Sequence, residues 1–255
     1  MLIGTWNVEY AHRSLNSHRL AILTARNAGI WVLTETHSDL DVSDTHCPVV
    51  AEARPGFGNA KVGPGSTWGT IWSRYRPLWA ISVPDHRRMV AAVLDAPGGP
   101  VAVAGVVLPW HDDVGDVPAD PRTAHWAEHR RVLRDGFPVL LRALRESGAG
   151  RRVVAGDFNS HLALPYPLSY PYPPDESLRR GLVELLGRES LVCHTADVEY
   201  PKPLPPRLVP QKLIDHVCTD MGSVEKIESW SGIDDKSRRL SDHAGVVVNF
   251  RSTDR

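Results

Sequence analysis

Short apolar runs recur along the chain, separated by polar and turn-forming residues in the manner of β-strands. Residues 97–100, Pro-Gly-Gly-Pro, lie between two such runs and predict a hairpin loop. The predicted strands are residues 2–7, 30–34, 67–73, 78–83, 89–94, 101–108, 153–155, 213–219, 224–230 and 244–250.

Apolar residues recur with helical spacing in residues 16–29, 120–147 and 178–186, and Pro138 should kink or divide the second segment. Residues 39–65 are rich in Gly, Pro and Asp and predict a loop. The strands follow one another in hairpin-like series instead of alternating strictly with helices. We therefore expect one α/β domain over residues 1–255, with two packed β-sheets and helices outside them.

The segment 151–160 reads as a short buried strand that ends in two polar residues. Gly156 allows the backbone to bend or to approach a neighbour closely. Asp157 and Asn159 share one face of an extended backbone, where they could position and activate a water molecule. The alternative is a turn in which an Asp or Asn side chain caps the strand end.

Similar polar residues follow other apolar strands, which favours a shared site over a simple turn. Grouped carboxylates repel one another unless a cation holds them, and hard oxygen ligands suit Mg²⁺ or Mn²⁺. A histidine near an aspartate is oriented and stabilised in its charged form. These strand-end residues are Asn7 with Glu9, Glu35, Asp157 with Asn159, Asp215 with His216, and Asp242 with His243.

Together these segments resemble the endonuclease/exonuclease/phosphatase superfamily. It includes apurinic-site endonucleases, pancreatic-type deoxyribonucleases, inositol polyphosphate phosphatases and sphingomyelinases. The motifs occur in the family order and span positions 5 to 243. They are Thr5-Trp6-Asn7-Val8-Glu9, Leu33-Thr34-Glu35-Thr36, Gly156-Asp157-Phe158-Asn159, Ile214-Asp215-His216 and Ser241-Asp242-His243.

The resemblance implies a four-layer α/β sandwich with the site at the upper edges of both sheets. It implies that Glu35 is the principal ligand of Mg²⁺ or Mn²⁺. Asn7, Glu9 and Asp242 are then expected around the same or a second metal position.

The resemblance also assigns roles to the remaining strand-end residues. Asp157 would activate the attacking water, with Asn159 positioning water or phosphate. His243 would bind or protonate a phosphoryl oxygen and would be oriented by Asp215. His111 is the candidate for a further phosphate contact, against the alternative of a plain loop histidine, since this chain has no tyrosine at that place.

Other polar residues have simpler interpretations. His216 is expected to face away from Asp215 and to be structural. His125 and His129 have the spacing of a zinc pair on a helix, but packing or surface positions are favoured. The basic residues Lys236, Arg238 and Arg239 precede the last motif. They are candidates for binding substrate phosphates, with a solvated loop balanced by Asp234 and Asp235 as the alternative.

Composition narrows the substrate and the compartment. The 255 residues carry a formal net charge of −1, so nucleic-acid contacts must come from local basic patches. The three cysteines lack metal-type spacing, and neither a signal sequence nor a membrane-length apolar run is present. We expect a cytoplasmic protein with no membrane contact and no obligate protein partner.

The first functional hypothesis is a metal-dependent phosphodiester hydrolase, specifically a nuclease that acts on DNA. The second is a phosphatase or phosphodiesterase for a small-molecule or lipid phosphate, because the net charge is modest. The third is a non-catalytic binding module on the same fold.

Overall fold

In the part of the chain that the structure describes, the apolar runs form two six-stranded β-sheets. The computed structural model describes residues 1–11, 13–54, 63–113, 125–163, 176–204 and 212–251. Among these residues, no helix is long and apolar enough to cross a membrane.

The first sheet brings the N-terminal and C-terminal strands together. Its strands are β1 (Leu2–Asn7), β2 (Ile30–His37), β3 (Cys47–Val50), β4 (Ser66–Ser73), β11 (Val224–Trp230) and β12 (Gly245–Phe250), in the spatial order β11-β12-β1-β2-β4-β3. Strand β1 pairs parallel with β2, so that Asn7 lies opposite Thr34. The carboxyl ends of these two strands therefore lie at the same edge of the sheet.

The second sheet has the same number of strands and is also mixed. Its strands are β5 (Pro77–Ala80), β6 (Met89–Leu94), β7 (Val101–Val107), β8 (Arg151–Asp157), β9 (Val192–Cys193) and β10 (Asp215–Thr219), in the spatial order β5-β6-β7-β8-β10-β9. Strands β8 and β10 are antiparallel, and their register places Asp157 directly opposite Asp215.

The sheets pack face to face through small and branched side chains. Val32 and Ile71 of the first sheet and Val103 and Ala155 of the second are fully buried in one apolar cluster. Burying a side chain such as valine or isoleucine stabilises the fold by about 1.5–3 kcal/mol. This core fixes the two sheets relative to each other and thereby aligns their polar edges.

Helices cover the outer faces of the sandwich. Helix α1 (Arg13–Arg26) places Leu23 in an apolar cluster with residues of the first sheet, including Trp31. On the second sheet, Phe137 and Leu182 belong to another buried cluster. They lie in two of the helices α2 (Ala127–Arg131), α3 (Phe137–Glu146) and α4 (Glu176–Arg188). The predicted layers of helix, sheet, sheet and helix are confirmed.

Several local predictions need correction. Residues 47–50 form the edge strand β3, although this segment was predicted to be loop. Helix α1 begins at Arg13 and not at Asn16, where the predicted helical segment starts. Asn16 lies inside the helix, and its Oδ1 accepts a hydrogen bond from Arg19 Nη1 at 3.0 Å. The division predicted at Pro138, by contrast, is found. Pro138 lies in the first turn of α3, and a π-helical turn over Val132–Gly136 precedes that helix. The predicted start of that helix, at residue 120, lies outside the described residues. Residues 164–174, which are rich in proline and predict a loop, also lie outside them.

Candidate active site

The parallel pairing of β1 and β2 brings Asn7 next to Glu35. Asn7 Nδ2 donates to Glu35 Oε1 at 3.3 Å and to Asp157 Oδ2 at 3.1 Å. The amide of a buried asparagine therefore links a carboxylate of the first sheet to a carboxylate of the second. This contact joins the two sheet edges into one site.

The backbone at this edge adopts left-handed conformations that are uncommon for residues other than glycine. Such conformations persist only where the surrounding structure enforces them, and they cluster at functional sites. The residues concerned near this edge are Glu9 (φ 46°), Tyr10 (φ 64°), Glu35 (φ 50°) and Asn159 (φ 48°).

Gly156 allows β8 to end where it does. Its φ of 133° is unfavourable for residues with a side chain, and a Cβ there would lie 2.1 Å from the carbonyl oxygen of Val106. The close approach predicted for this glycine is therefore confirmed. It presents the next residue, Asp157, at the sheet edge.

Asp157, Asp215 and His243 form a compact group at this edge. His243 Nδ1 donates to Asp215 Oδ2 at 2.6 Å. Ligand atoms of the three side chains all lie within 4.8 Å of one another. The two aspartates are buried and His243 is mostly buried, so solvent screens their charges weakly.

The turn that carries His243 is attached to β1. Ser241 Oγ donates to the carbonyl oxygen of Asn7 at 2.6 Å and accepts from the backbone N–H of His243 at 2.9 Å. Trp6 Nε1 donates to the carbonyl oxygen of His243 at 3.2 Å. The first sheet therefore holds the histidine, and the second sheet supplies its aspartate.

Burial and neighbouring charges shift the protonation of this group in a defined direction. Burial raises the pKa of Asp157 to about 7, while the charge of His243 opposes the shift and Asp215 adds to it. For His243, burial alone would lower the pKa, but the carboxylates of Asp215 and Asp157 outweigh it and raise the pKa well above its usual value. His243 is therefore an imidazolium at neutral pH, and Asp157 exchanges a proton near neutrality.

Asn159 takes part in two local hydrogen bonds. Its backbone N–H donates to Asp157 Oδ1 at 2.8 Å, which is the side-chain turn considered as the alternative. Its Nδ2 donates to the carbonyl oxygen of Leu108 at 2.8 Å. The turn fixes the Asp157 carboxylate at the sheet edge, so the local structure and the shared site coexist.

The donors at this edge suit a hard divalent cation. Glu35 and Asp157 present carboxylate oxygens around Asn7, and burial raises the pKa of Glu35 because its charge is poorly solvated. Asp215 Oδ1 is buried and has no hydrogen-bond partner among the described residues. Oxygen donors with excess negative charge are the ligands that Mg²⁺ and Mn²⁺ take in proteins.

Glu9 and Asp242 both lie close to one arginine of the basic segment. Arg239 Nη2 lies 2.6 Å from Glu9 Oε1 and 3.5 Å from Asp242 Oδ2. Arg238 pairs with Asp234 at 2.6 Å. Lys236 is exposed.

His111 lies in a second, exposed group with Asp112 and His125. Its Nε2 is 2.8 Å from Asp112 Oδ2, and its ring stacks on His125 with centroids 5.6 Å apart. His129, weighed as the zinc partner of His125, is buried and donates from Nδ1 to the carbonyl oxygen of Pro109. His216, predicted to be structural, is fully buried and contacts Thr195 and Ser160 through its two ring nitrogens.

Sequence reasoning missed one charged residue beside Glu35. Arg54 Nη1 lies 3.6 Å from Glu35 Oε2, and the Arg54 guanidinium stacks on Trp68. Arg54 falls in the segment predicted to be a loop, and no local pattern distinguishes it from other loop arginines.

The sequence matches no protein-family model and no curated protein. Solved structures nevertheless share its fold. An endonuclease/exonuclease/phosphatase from Beutenbergia cavernae DSM 12333 is 20% identical with a TM-score of 0.62, over 97% of this chain and 70% of that chain. The 3′ phosphatase NExo from Neisseria, bound to a product DNA hairpin, is 19% identical with a TM-score of 0.65, over 99% of this chain and 100% of that chain.

The endonuclease domain of TRAS1, a telomere-specific non-LTR retrotransposon, is 15% identical with a TM-score of 0.57, over 99% of each chain. The chain therefore has the endonuclease/exonuclease/phosphatase fold. The predicted resemblance is confirmed at the level of the fold.

Proposed function

We propose that this protein is a divalent-metal-dependent phosphodiester hydrolase and that its substrate is DNA. The observation that carries the proposal is the buried Asp157–Asp215–His243 group, joined through Asn7 to Glu35. A carboxylate that exchanges a proton near neutrality, beside a charged imidazole, supplies the acid and base that ester hydrolysis requires.

In this proposal Asp157 accepts a proton from the attacking water. Its turn with Asn159 holds one oxygen, and the Asn7 amide holds the other. His243, charged and oriented by Asp215, donates a hydrogen bond or a proton to a phosphoryl oxygen. Asn159 contributes to the position of water or phosphate.

Glu35 and Asn7 would hold the metal ion, for which we propose Mg²⁺ or Mn²⁺. Glu9 and Asp242 would serve the same or a second position once released from Arg239. A divalent cation bound there offsets negative charge on the phosphate and on the leaving oxygen.

DNA as substrate is supported by two observations. Two proteins of the same fold are described as a 3′ phosphatase bound to a DNA hairpin and as an endonuclease domain. Lys236, Arg238 and Arg239 lie in the segment just before His243, where they would contact substrate phosphates together with His111.

One observation favours the second candidate, a phosphatase or phosphodiesterase for a small-molecule or lipid phosphate. The two arginines of the basic segment are already paired, Arg238 with Asp234 and Arg239 with Glu9. These pairs reduce the positive field that a long nucleic acid would need.

A substrate panel tests the proposal. The purified protein would be assayed with Mg²⁺, with Mn²⁺ and with EDTA on plasmid DNA, oligonucleotides, inositol phosphates, nucleotides and phospholipids. We expect metal-dependent cleavage of DNA and its loss in His243→Ala but not in His125→Ala. Metal-dependent turnover of a small phosphate alone would select the second candidate. Absence of turnover on every substrate would favour the third hypothesis, a binding module.

A further inference from the structure

Arg54 is held beside Glu35 by aromatic rings. Its guanidinium carbon lies 3.3 Å from the centroid of the Trp68 ring and 4.8 Å from that of Tyr10. Its backbone N–H donates to the carbonyl oxygen of Ser66 at 2.9 Å, which attaches the residue to β4. Both the main chain and the side chain of this arginine are therefore fixed by contacts other than Glu35.

The stack continues beyond Arg54. Arg88 lies over two tryptophan rings. Its guanidinium carbon is 5.0 Å from the Trp68 ring centroid and 5.9 Å from that of Trp110. Guanidinium groups stack favourably on aromatic faces, and more strongly when they are desolvated. This alternation of rings and arginines gives Arg54 a rigid support.

The contact between Arg54 and Glu35 is electrostatic and is not a hydrogen bond. Arg54 Nη1 lies 3.6 Å from Glu35 Oε2, beyond hydrogen-bond distance. Nε and Nη1 of Arg54 are buried and have no hydrogen-bond partner among the residues that the structure describes. Nη2 makes a long contact of 3.4 Å with the Tyr10 hydroxyl. The arginine does not use its donors to orient the carboxylate.

The same burial argues against a direct role in binding the substrate. Arg54 is 8% exposed, and two of its three guanidinium nitrogens are buried. The rings of Tyr10 and Trp68 lie against the guanidinium, so these atoms offer a phosphate little accessible surface. Arg54 therefore contributes its positive charge to the site, because that charge lies beside Glu35.

We propose that Arg54 is a fixed counter-charge that lowers the affinity of the Glu35 centre for divalent cations. This inference rests on the proposed function only because it takes Glu35 as the metal ligand. The stack keeps the guanidinium in place whether or not a cation is bound. A cation at Glu35 is therefore repelled by a positive charge that cannot move away, and the centre exchanges its metal more readily than its carboxylates alone would allow.

The test is calorimetric titration of the metal-free protein with Mn²⁺ alone, at mildly alkaline pH and low ionic strength. Removing the charge in Arg54→Met should tighten Mn²⁺ binding by about tenfold or more, because Coulomb repulsion between a monovalent and a divalent charge roughly 6 Å apart amounts to about tenfold even at the dielectric constant of water. Arg54→Lys keeps the charge and should bind Mn²⁺ within about threefold of the wild-type protein. Because Arg54 is buried, the difference between the Met and wild-type proteins should depend only weakly on salt.

A purely structural role for Arg54 makes the opposite prediction. If Arg54 only supports the stack, Arg54→Met weakens Mn²⁺ binding or leaves it unchanged, and that result overturns the inference. Arg54→Gln is the second variant, because it removes the charge and keeps a polar, planar end group, and it should also bind more tightly. Near-ultraviolet circular dichroism establishes that each variant is folded.

Glu35→Gln separates this inference from the proposed function. Loss of Mn²⁺ binding in Glu35→Gln, together with unchanged binding in Arg54→Met and Arg54→Gln, overturns the role of Arg54 and leaves the metal site intact. Unchanged binding in Glu35→Gln overturns the metal assignment itself, and the inference with it.

Discussion

Two groups of the same residue types differ sharply in their surroundings. Asp157 and Asp215 are 1% and 2% exposed and hold His243 between the two sheets. Asp112 and His125 have side chains 56% and 54% exposed, although they too lie within hydrogen-bond distance of each other. Residue type is shared by the two groups, whereas burial and attachment to strand ends are not.

The difference has an energetic consequence. An exposed ion pair contributes about 0–1 kcal/mol, because water screens the charges and the side chains lose conformational freedom. Removing one partner of a buried pair costs about 3–5 kcal/mol, because the other charge is left unpaired. The buried group can therefore hold a defined charge state, which the exposed group cannot do to the same degree.

The largest expected effect is the loss of hydrolysis when the buried histidine is replaced. His243→Ala removes the charged imidazole and should lower the rate of phosphodiester hydrolysis by about 10²–10⁴-fold, the usual contribution of a general acid or base. The measurement is the initial rate at saturating Mg²⁺, with His125→Ala as the matched control from the exposed group. Equal losses in the two variants would contradict the distinction between the groups.

Asp157→Asn should separate activity from stability. The pKa of Asp157 is raised by burial, so ionising it costs free energy, and the folded protein loses stability as pH rises from the unfolded value of 3.8 through about 7. In EDTA at mildly alkaline pH, Asp157→Asn should therefore melt at a higher temperature than wild type. The gain should disappear in acid, where both side chains are neutral.

The same variant should lose the proposed water-activating base and be about 10²–10⁴-fold slower in hydrolysis. Calorimetric melting and initial rates measured on one preparation test both statements. A variant that is less stable than wild type in EDTA would show that Asp157 is not a destabilised carboxyl.

His111→Ala should have a smaller effect than His243→Ala. A hydrogen bond to a charged group contributes about 1.5–3 kcal/mol, so the loss of a phosphate contact should slow hydrolysis roughly 10- to 100-fold. His125→Ala, which removes the stacked neighbour, should change the rate by less than about threefold, as exposed substitutions usually do. If His111→Ala is as active as His125→Ala, His111 is a plain loop histidine.

The smallest expected effect is on stability in acid and concerns His129. This buried histidine bonds to a backbone carbonyl oxygen, whereas His243 bonds to an aspartate. Burial lowers its pKa to about 4, despite the hydrogen bond to Pro109. Its folded pKa lies below the unfolded value of 6.5, so the stability that depends on neutral His129 is lost as pH falls from 6.5 through 4. The melting temperature of wild type should fall in this range more steeply than that of His129→Gln, measured in the same buffers.

The sequence predicts the longer strands of this fold well, whether they are fully buried, as Met89–Leu94 is, or only partly buried, as Val224–Trp230 is. Residues 89–94 and 224–230 are strands with the predicted bounds. The short edge strands β3 and β9 were not predicted. Cys47–Val50 is mostly exposed and owes its conformation to pairing with β4, a contact that local sequence does not encode.

The contacts of the site also divide into those that the sequence predicts and those that it does not. Polar residues at apolar strand ends single out Asp215 and His243, and the family resemblance predicts that they pair. The shared edge of the sheets brings them together. The Arg54 stack and the pairing of Glu9 with Arg239 join residues that are distant in sequence, and both arginines lie outside the named strands and helices. No periodicity specifies such contacts, because they depend on how the sheets bring those residues together.

The central claim is that the buried group, with Glu35, performs metal-dependent hydrolysis of phosphodiesters. The most direct measurement is the rate of cleavage of an end-labelled DNA oligonucleotide by wild type and Glu35→Gln, each in Mg²⁺ and in EDTA. We predict rapid cleavage only by wild type in Mg²⁺. Cleavage by wild type that persists in EDTA, or cleavage by Glu35→Gln at the wild-type rate in Mg²⁺, would contradict the claim.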